Sequence, residues 1–384
     1  MSSPAIQLHS TLPESSADSY SPFTTVDFLI MAPGRKLMRN SIRIEGDIRA
    51  VKDANAWTAT GFVDSDSNVK VDNFVGAHAF FDSFTTETQS GGVIETLANY
   101  PRFISSHARA TLAEDDLLSS KMVAEARGPV EKNGNIAIQP IVDQAFVTGQ
   151  TEQARQRSVP SFSCKPMVAF NRSAGGLYSF DKSGFIRVSC ILAANNNALF
   201  GGAGTASYSL ENLQCRFMTE PDDGSSDPIM MRSYVNVVSS LQSAATTVSA
   251  RVPSASVNSV TISTIRQAHI QSQEYNSYAL ESLPQFDNIS FMFSNSMQNY
   301  VTYVIREDSD ALSKGLESMD SAGHSDVSAK TLKANKGTIY GLSFSEYVDL
   351  SSQKFTVQIK LDDADTITAN PHDLHMFFNS LITM

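Results

Sequence analysis

The stretch Phe185–Phe217, FIRVSCILAANNNALFGGAGTASYSLENLQCRF, constrains the fold more than any other. Ile186, Val188, Cys190 and Leu192 alternate with Arg187, Ser189 and Ile191, the period-2 pattern of a half-buried strand. Asn195-Asn196-Asn197 and Gly201-Gly202-Ala203-Gly204 then interrupt it with turn chemistry. Ala206, Tyr208 and Leu210 restart the alternation, but the apolar set moves to Leu213, Cys215 and Phe217. That change of phase predicts a β-bulge near Glu211-Asn212. Two strands joined by a polar crossing need a sheet on each side, so the surrounding chain is expected to form a sandwich.

The chain has 384 residues, which suits two domains better than one ordinary sandwich. A hydrophobic content of 41%, with 22 Phe, is ample for two cores. The net charge of −11 argues against binding a polyanion through bulk charge. Cys164, Cys190 and Cys215 cannot all pair with one another and lie in strand-like text, so they read as free buried thiols in a reducing compartment. No apolar run reaches the ~20 residues of a membrane span. The opening MSSPAIQLHSTLPESSADSYSP lacks the basic and apolar blocks of a signal peptide. Residues 1–22 read as a flexible arm that a partner orders, dispensable for association itself. The first basic residue is Arg35, which excludes a basic genome-binding arm at this end.

In chain order, strands are expected at Thr24–Met31, Ser41–Ala50 and Phe74–Thr86. Val93, Ile94, Leu97 and Tyr100 stand at helical spacing, predicting a helix over Val93–Tyr100 that Pro101 stops. Thr111-Leu112-Ala113-Glu114 resembles a capping box, predicting a second helix over Leu112–Ala126. Strands resume at Asn135–Val147 and Ser161–Phe170. Glu220–Pro228 contains no apolar residue and two prolines, and reads as a linker. Beyond it Ser259–Ala268 echoes Ser41–Ala50, and Phe355, Val357, Ile359 and Leu361 echo the Phe185 strand. Strand text also covers Phe291–Ile305 and Leu374–Met384, with a short helix from Asp308 or Ser309 bearing Leu312, Leu316 and Met319. The shared order of the echoes predicts an internal duplication.

Two similar sandwiches in tandem, each with a helix between strands, resemble the double jelly-roll major capsid proteins of the PRD1–adenovirus lineage. GVIETLANYPRF (Gly92–Phe103) and LYSFDKSGFIRVSCILAANNNALFGG (Leu177–Gly202), ahead of the strand Tyr208–Met218, carry the likeness. The resemblance implies an all-β chain of two tandem eight-stranded jelly-roll β-sandwiches with short helical insertions. The expected division is an arm at 1–22, a first jelly roll at 23–219, a linker at 220–228 and a second jelly roll at 229–384. It further implies a homotrimer that forms a pseudo-hexameric capsomer of an icosahedral capsid, with neighbouring capsomers and minor capsid or penton proteins as partners. The first barrel of one chain is then expected to meet the second barrel of the next. Direct contact with nucleic acid is not expected, and the arm is the candidate for contact with an inner membrane. The location is the virion, assembled inside the host cell.

Candidate sites favour structural readings. Asp64-Ser65-Asp66-Ser67-Asn68 opens like a calcium loop, but Val69 and Val75 replace the Gly and Glu such a loop needs. His372 and His375 follow Pro371 in strand text and should point to opposite faces. Gly201–Gly204 lacks the Lys-Ser/Thr of a phosphate loop. Glu95 with Asp115-Asp116, and Asp362-Asp363, are carboxylate groupings better explained by helix ends and a turn. Asn171-Arg172-Ser173 and Asn288-Ile289-Ser290 match glycosylation acceptors by accident of composition. No catalytic, cofactor-binding or metal residue is assigned, no cofactor is expected, and the chain reads as no enzyme. Two alternatives accompany the capsid reading. One is a β-sandwich spike or fibre protein binding host carbohydrate, against which the single Trp57 counts. The other is a minor vertex protein, against which the duplication counts.

Overall fold

The computed structural model of the chain describes residues 6–51, 71–112, 124–125, 161–200, 206–225, 227–254, 256–294, 299–321, 337–362 and 364–384. The first set of strands is β1 (Gln7–Thr11), β2 (Ser19–Tyr20), β3 (Thr25–Ile30), β4 (Arg35–Leu37), β5 (Arg43–Val51), β6 (Phe81–Thr88), β7 (Gly92–Leu97), β8 (Ser161–Cys164), β9 (Tyr178–Ser179), β10 (Ile186–Leu192) and β11 (Ser207–Pro221). One sheet runs β3-β10-β6-β7. In the other, β8 pairs with β5 and β5 with β11, while β1 and β2 lie along the opposite side of β11. Thr219 pairs with both Gln7 and Leu37, so β4 continues the line of β5.

β10 and β11 therefore belong to opposite sheets, as a polar crossing between them requires. Asn195–Ala198 forms one helical turn of that crossing, and 201–205 lie outside the described residues. The predicted bulge is present: the β11–β5 register shifts between Glu211 and Gln214, with Asn212 at φ 51°. Asn tolerates this left-handed conformation better than most side chains. Before the bulge Tyr208 and Leu210 are buried, and after it Leu213, Cys215 and Phe217. Gly46 on β5 faces this bulge. A Cβ there would stand 2.7 Å from Leu213 Cδ2 and 3.0 Å from the Glu211 carbonyl oxygen, so only glycine fits the approach.

The second set is β12 (Met230–Leu241), β13 (Ala245–Ala250), β14 (Val257–Arg266), β15 (Phe286–Ser294), β16 (Asn299–Ile305), β17 (Tyr340–Val348), β18 (Lys354–Leu361) and β19 (His372–Thr383). Its sheets run β12-β19-β14-β17 and β13-β18-β15-β16. Strands one, eight, three and six thus form one sheet, and two, seven, four and five the other. That is jelly-roll order. The first set repeats it when β1 with β2 count as strand one and β4 with β5 as strand three. Both sequence echoes fall on equivalent strands: Ser41–Ala50 and Ser259–Ala268 cover the third strands, and the Phe185 and Phe355 runs the seventh.

Several local expectations change. The arm expected through residue 22 is docked from residue 6 onward: β1 and β2 pair with β11, and Tyr20 is fully buried. Phe74–Thr86 is strand only from Phe81. Before it Gly76–Phe80 forms a buried 3-10 turn, because the Asp72 carboxylate accepts the Phe74 and Val75 amides and Gly76 takes φ 57°. The expected strand Ser161–Phe170 ends at Cys164, ahead of Pro166. Asn135–Val147 lies outside the described residues. All three cysteines are free and buried, and burial pushes the Cys215 thiol up to about 12. The Glu220–Pro228 stretch is fastened at its middle, where the buried Lys36 ammonium meets Asp222 at 3.5 Å and also Asp223.

Candidate functional site: the junction between the sandwiches

The helix that builds this junction starts where the sequence predicted a stop. The predicted helix Val93–Tyr100 is helical only at its last residue: Gly92–Leu97 is β7, and α1 spans Tyr100–Thr111 with Pro101 in its first turn. Proline lacks the amide that an interior helix needs but suits an opening turn, where that amide has no partner anyway. Asn99, at φ 52°, makes the corner between strand and helix. The β-branched Val93, Ile94 and Thr96 favour the strand. Leu112 closes α1, and residues 113–123 of the second predicted helix, with Asp115, Asp116, Leu117 and Leu118, lie outside the described residues.

α1 is buried on nearly every side, including Arg102 and Arg109. Phe103 packs 4.4 Å from the ring of Tyr234 on β12 and 5.5 Å from Phe377 on β19. Tyr234, Tyr278 and Phe377 join the core of the first sandwich, whereas the fully buried members of the second core, among the described residues, begin at Leu241, with Val235 and Val237 packed against it. A second helix, α2 (Asp308–Ser321), lies against β14 and β17, with Ser318 Oγ 3.0 Å from Thr261 Oγ1. Ala110 of α1 and Met319 of α2 share a small apolar cluster with Leu280 and Ile339.

Among the described residues, the buried charges Asp72, Glu95, Arg102, Arg109 and Arg172 each have a partner in this junction. Arg109 pairs with Asp72, and Asp72 also accepts Asn276 Nδ2 at 2.6 Å. The Arg109 guanidinium lies 5.0 Å over the Phe74 ring and donates to the Tyr278 carbonyl at 3.3 Å. Arg102 donates to the carbonyls of Ala279, at 3.2 Å, and Ser277. Burial pushes Arg102 down to about 10, so it stays charged at neutral pH. On β7, Glu95 accepts the Tyr234 amide at 2.8 Å, the Ala169 amide at 3.0 Å and Arg172. The Arg172 guanidinium covers the Tyr234 ring at 4.5 Å. Asn99 Nδ2 donates to Asn236 Oδ1 at 2.8 Å, and the Ala174 amide donates to the Met230 carbonyl at 2.7 Å. Charges left unpaired in such a place would be costly, so every partner matters to the fit.

The other sequence candidates stay scattered. His372 and His375 are both buried on β19 and, three apart, face opposite sides. His372 Nδ1 lies 2.7 Å from the Asn370 carbonyl, while neither ring nitrogen of His375 has a hydrogen-bond partner among the described residues. Among the described residues no three His, Cys, Asp or Glu side chains gather as metal ligands. Asp362 is exposed at the end of β18, and its neighbour Asp363 lies outside the described residues. Asn171 is buried, holding the Ile42 backbone through bonds of 3.0 and 2.9 Å, so it cannot carry a glycan. The Asp64–Asn68 loop, Trp57 and Gly201–Gly204 lie outside the described residues. Sequence reasoning missed Asp72, Arg102, Arg109 and Arg172. The signal was there in Arg102 and Arg109, seven residues apart and so on one face of the helix YPRFISSHARAT.

Fold and junction together define a double jelly-roll protein: two sandwiches of one strand order joined through a buried, helix-filled contact. No protein-family model and no curated protein matches the sequence. Solved structures do match. PBCV-1 VP54, as fitted into a cryo-EM reconstruction of the virophage Sputnik, aligns with 100% of this chain and 96% of its own (TM-score 0.59, 10% identity). The Faustovirus major capsid protein aligns with 100% of this chain and 91% of its own (TM-score 0.58, 10% identity). A chain of the Sputnik virophage structure gives a TM-score of 0.59 at 9% identity, over 100% and 87%. At such identities the likeness establishes the fold, over the whole length of the chain.

Proposed function

We propose that this chain is the major capsid protein of an icosahedral virus of the PRD1–adenovirus type, three copies forming a pseudo-hexameric capsomer that tiles the shell. The observation that carries the reading is the repetition of one strand order in two sandwiches fused by a buried junction. Three such chains present six similar sandwiches around one axis, which lets a single polypeptide fill a near-hexagonal lattice. Alignment along the full length with the Faustovirus major capsid protein supports it. On this reading the units are a first jelly roll ending near residue 219, the 220–228 connection and a second jelly roll over 229–384, with β1 and β2 counted in the first. The role is structural rather than enzymatic. The partners are further copies, neighbouring capsomers and minor capsid or penton proteins, and the location is the virion. A net charge of −11 fits a shell that does not neutralise nucleic acid.

The test is to weigh the purified protein across a salt series and image it. A species of about three times 41.7 kDa, insensitive to salt and hexagonal in outline, is expected. A monomer at every salt concentration, or tight DNA binding at ~0.15 M salt, would overturn the reading.

A further inference from the structure

The junction inside one chain is a template for the contact between chains. β12 is the first strand of the second sandwich, and the first sandwich seals its outer edge. Glu95 takes the Tyr234 amide, Asn99 meets Asn236, and the Ala174 amide reaches the Met230 carbonyl. These sealing groups come from the fifth strand, β7, the corner after it, and the connection between the sixth and seventh strands.

β1 with β2 holds the same place in the first sandwich. It pairs with β11 on one side and, among the described residues, with no strand on the other. Along this edge Ile6, Leu8 and Leu12 are 58%, 63% and 68% exposed, and Leu8 lies in register with the exposed Met218. An uncovered edge strand bearing apolar side chains is a template for association. The second sandwich presents the counterparts of the sealing elements: β16, its fifth strand, and the connection 349–353 between β17 and β18. That connection is a formed turn, the Asp349 carboxylate accepting the Ser351 amide at 2.9 Å and the Ser352 amide at 3.3 Å. Beside it Tyr347 is 55% exposed.

We infer that the β1–β2 edge of one copy docks on β16 and the 349–353 turn of a second copy, repeating between chains the contact made within each. The inference rests on the trimeric reading above and names its surfaces. The contact is heterologous, and the same step applied through the six sandwiches of three chains closes a ring.

The experiment compares native mass for the full-length protein, the double variant L8E/L12E, the variant Tyr347→Glu and the control Ile191→Glu, whose charge falls on β10 of the opposite sheet. Leu8, Leu12 and Tyr347 are exposed in the single chain, so folding is expected to survive, and circular dichroism checks it. Tyr347→Glu tests the other half of the contact independently should L8E/L12E fail to fold. Wild type and control should be trimers, with both edge variants dissociating and their dissociation constants raised roughly a hundredfold or more. A trimeric wild type with folded, equally trimeric edge variants would overturn this inference and leave the trimeric reading standing. A monomeric wild type would overturn both.

Discussion

Glu95 on the first sandwich accepts the backbone amide of Tyr234 on the second, 2.8 Å away, while the Arg172 that neutralises Glu95 lies over the Tyr234 ring. One carboxylate thus closes a strand edge, holds a loop through the Ala169 amide and sits under an aromatic–cation stack. Glu95→Ala would leave the buried Arg172 and two amides without their acceptor. It should cost about 3–5 kcal/mol in denaturant unfolding. Glu95→Gln keeps an acceptor for Tyr234 and should cost less. Equal losses for the two would show that charge, rather than hydrogen bonding, dominates the site.

Gly46→Ala tests the bulge. The added methyl meets Leu213 Cδ2, which can turn aside, and the Glu211 carbonyl, which cannot without moving β11. A loss of about 1–3 kcal/mol is expected, as for overpacking elsewhere. An unchanged denaturation midpoint would mean the bulge yields freely.

His375 makes stability fall in acid. Burial, with the Arg102 charge nearby, holds its imidazole well below the ordinary 6.5. The unfolded chain binds the proton more readily, so stability is full above about pH 6.5 and declines below it. The decline is up to about 1.4 kcal/mol per pH unit from this group. His372, also shifted down by burial, adds in the same direction. His375→Leu removes no hydrogen bond and should flatten the profile between pH 6.5 and 5. Parallel profiles for variant and wild type would exclude His375 as the source.

Removing residues 1–22 should destabilise the subunit, contrary to what a flexible arm would allow. The deletion takes both short strands from β11 and empties the place of Tyr20. A loss of at least about 3 kcal/mol is expected, the scale of truncating one large buried aromatic. A truncated protein that melts with the full-length chain would return these residues to the status of an arm.

How much of this was legible depended on how locally each feature is encoded. Alternation along Ile186–Leu192 and the phase change at Glu211-Asn212 need only neighbours in sequence, and both the strand and the bulge could be read. β1 escaped because an edge strand buries little. Yet Ile6, Leu8 and Leu12 do sit at even spacing, a faint period-2 signal. The start of α1 was misread because Pro101 serves equally as a stop or a first-turn residue. The junction was invisible for a different reason. Asp72 finds Arg109 thirty-seven residues on, and Asn276 more than two hundred, so no window of sequence shows that these charges are matched.

The pairing of β1 and β2 with β11 also sets a timetable for synthesis. Among the described residues β1 and β2 have no strand partner until residues 207–221 leave the ribosome, roughly 10–40 seconds later at ordinary elongation rates. The second sandwich waits likewise, β12 for β19. Each half closes only when its last strand arrives, so a nascent chain carries unfinished edges that must be shielded. Only a chain synthesised through β19 has both sandwiches closed, so the order of translation sets the order in which their edges are covered.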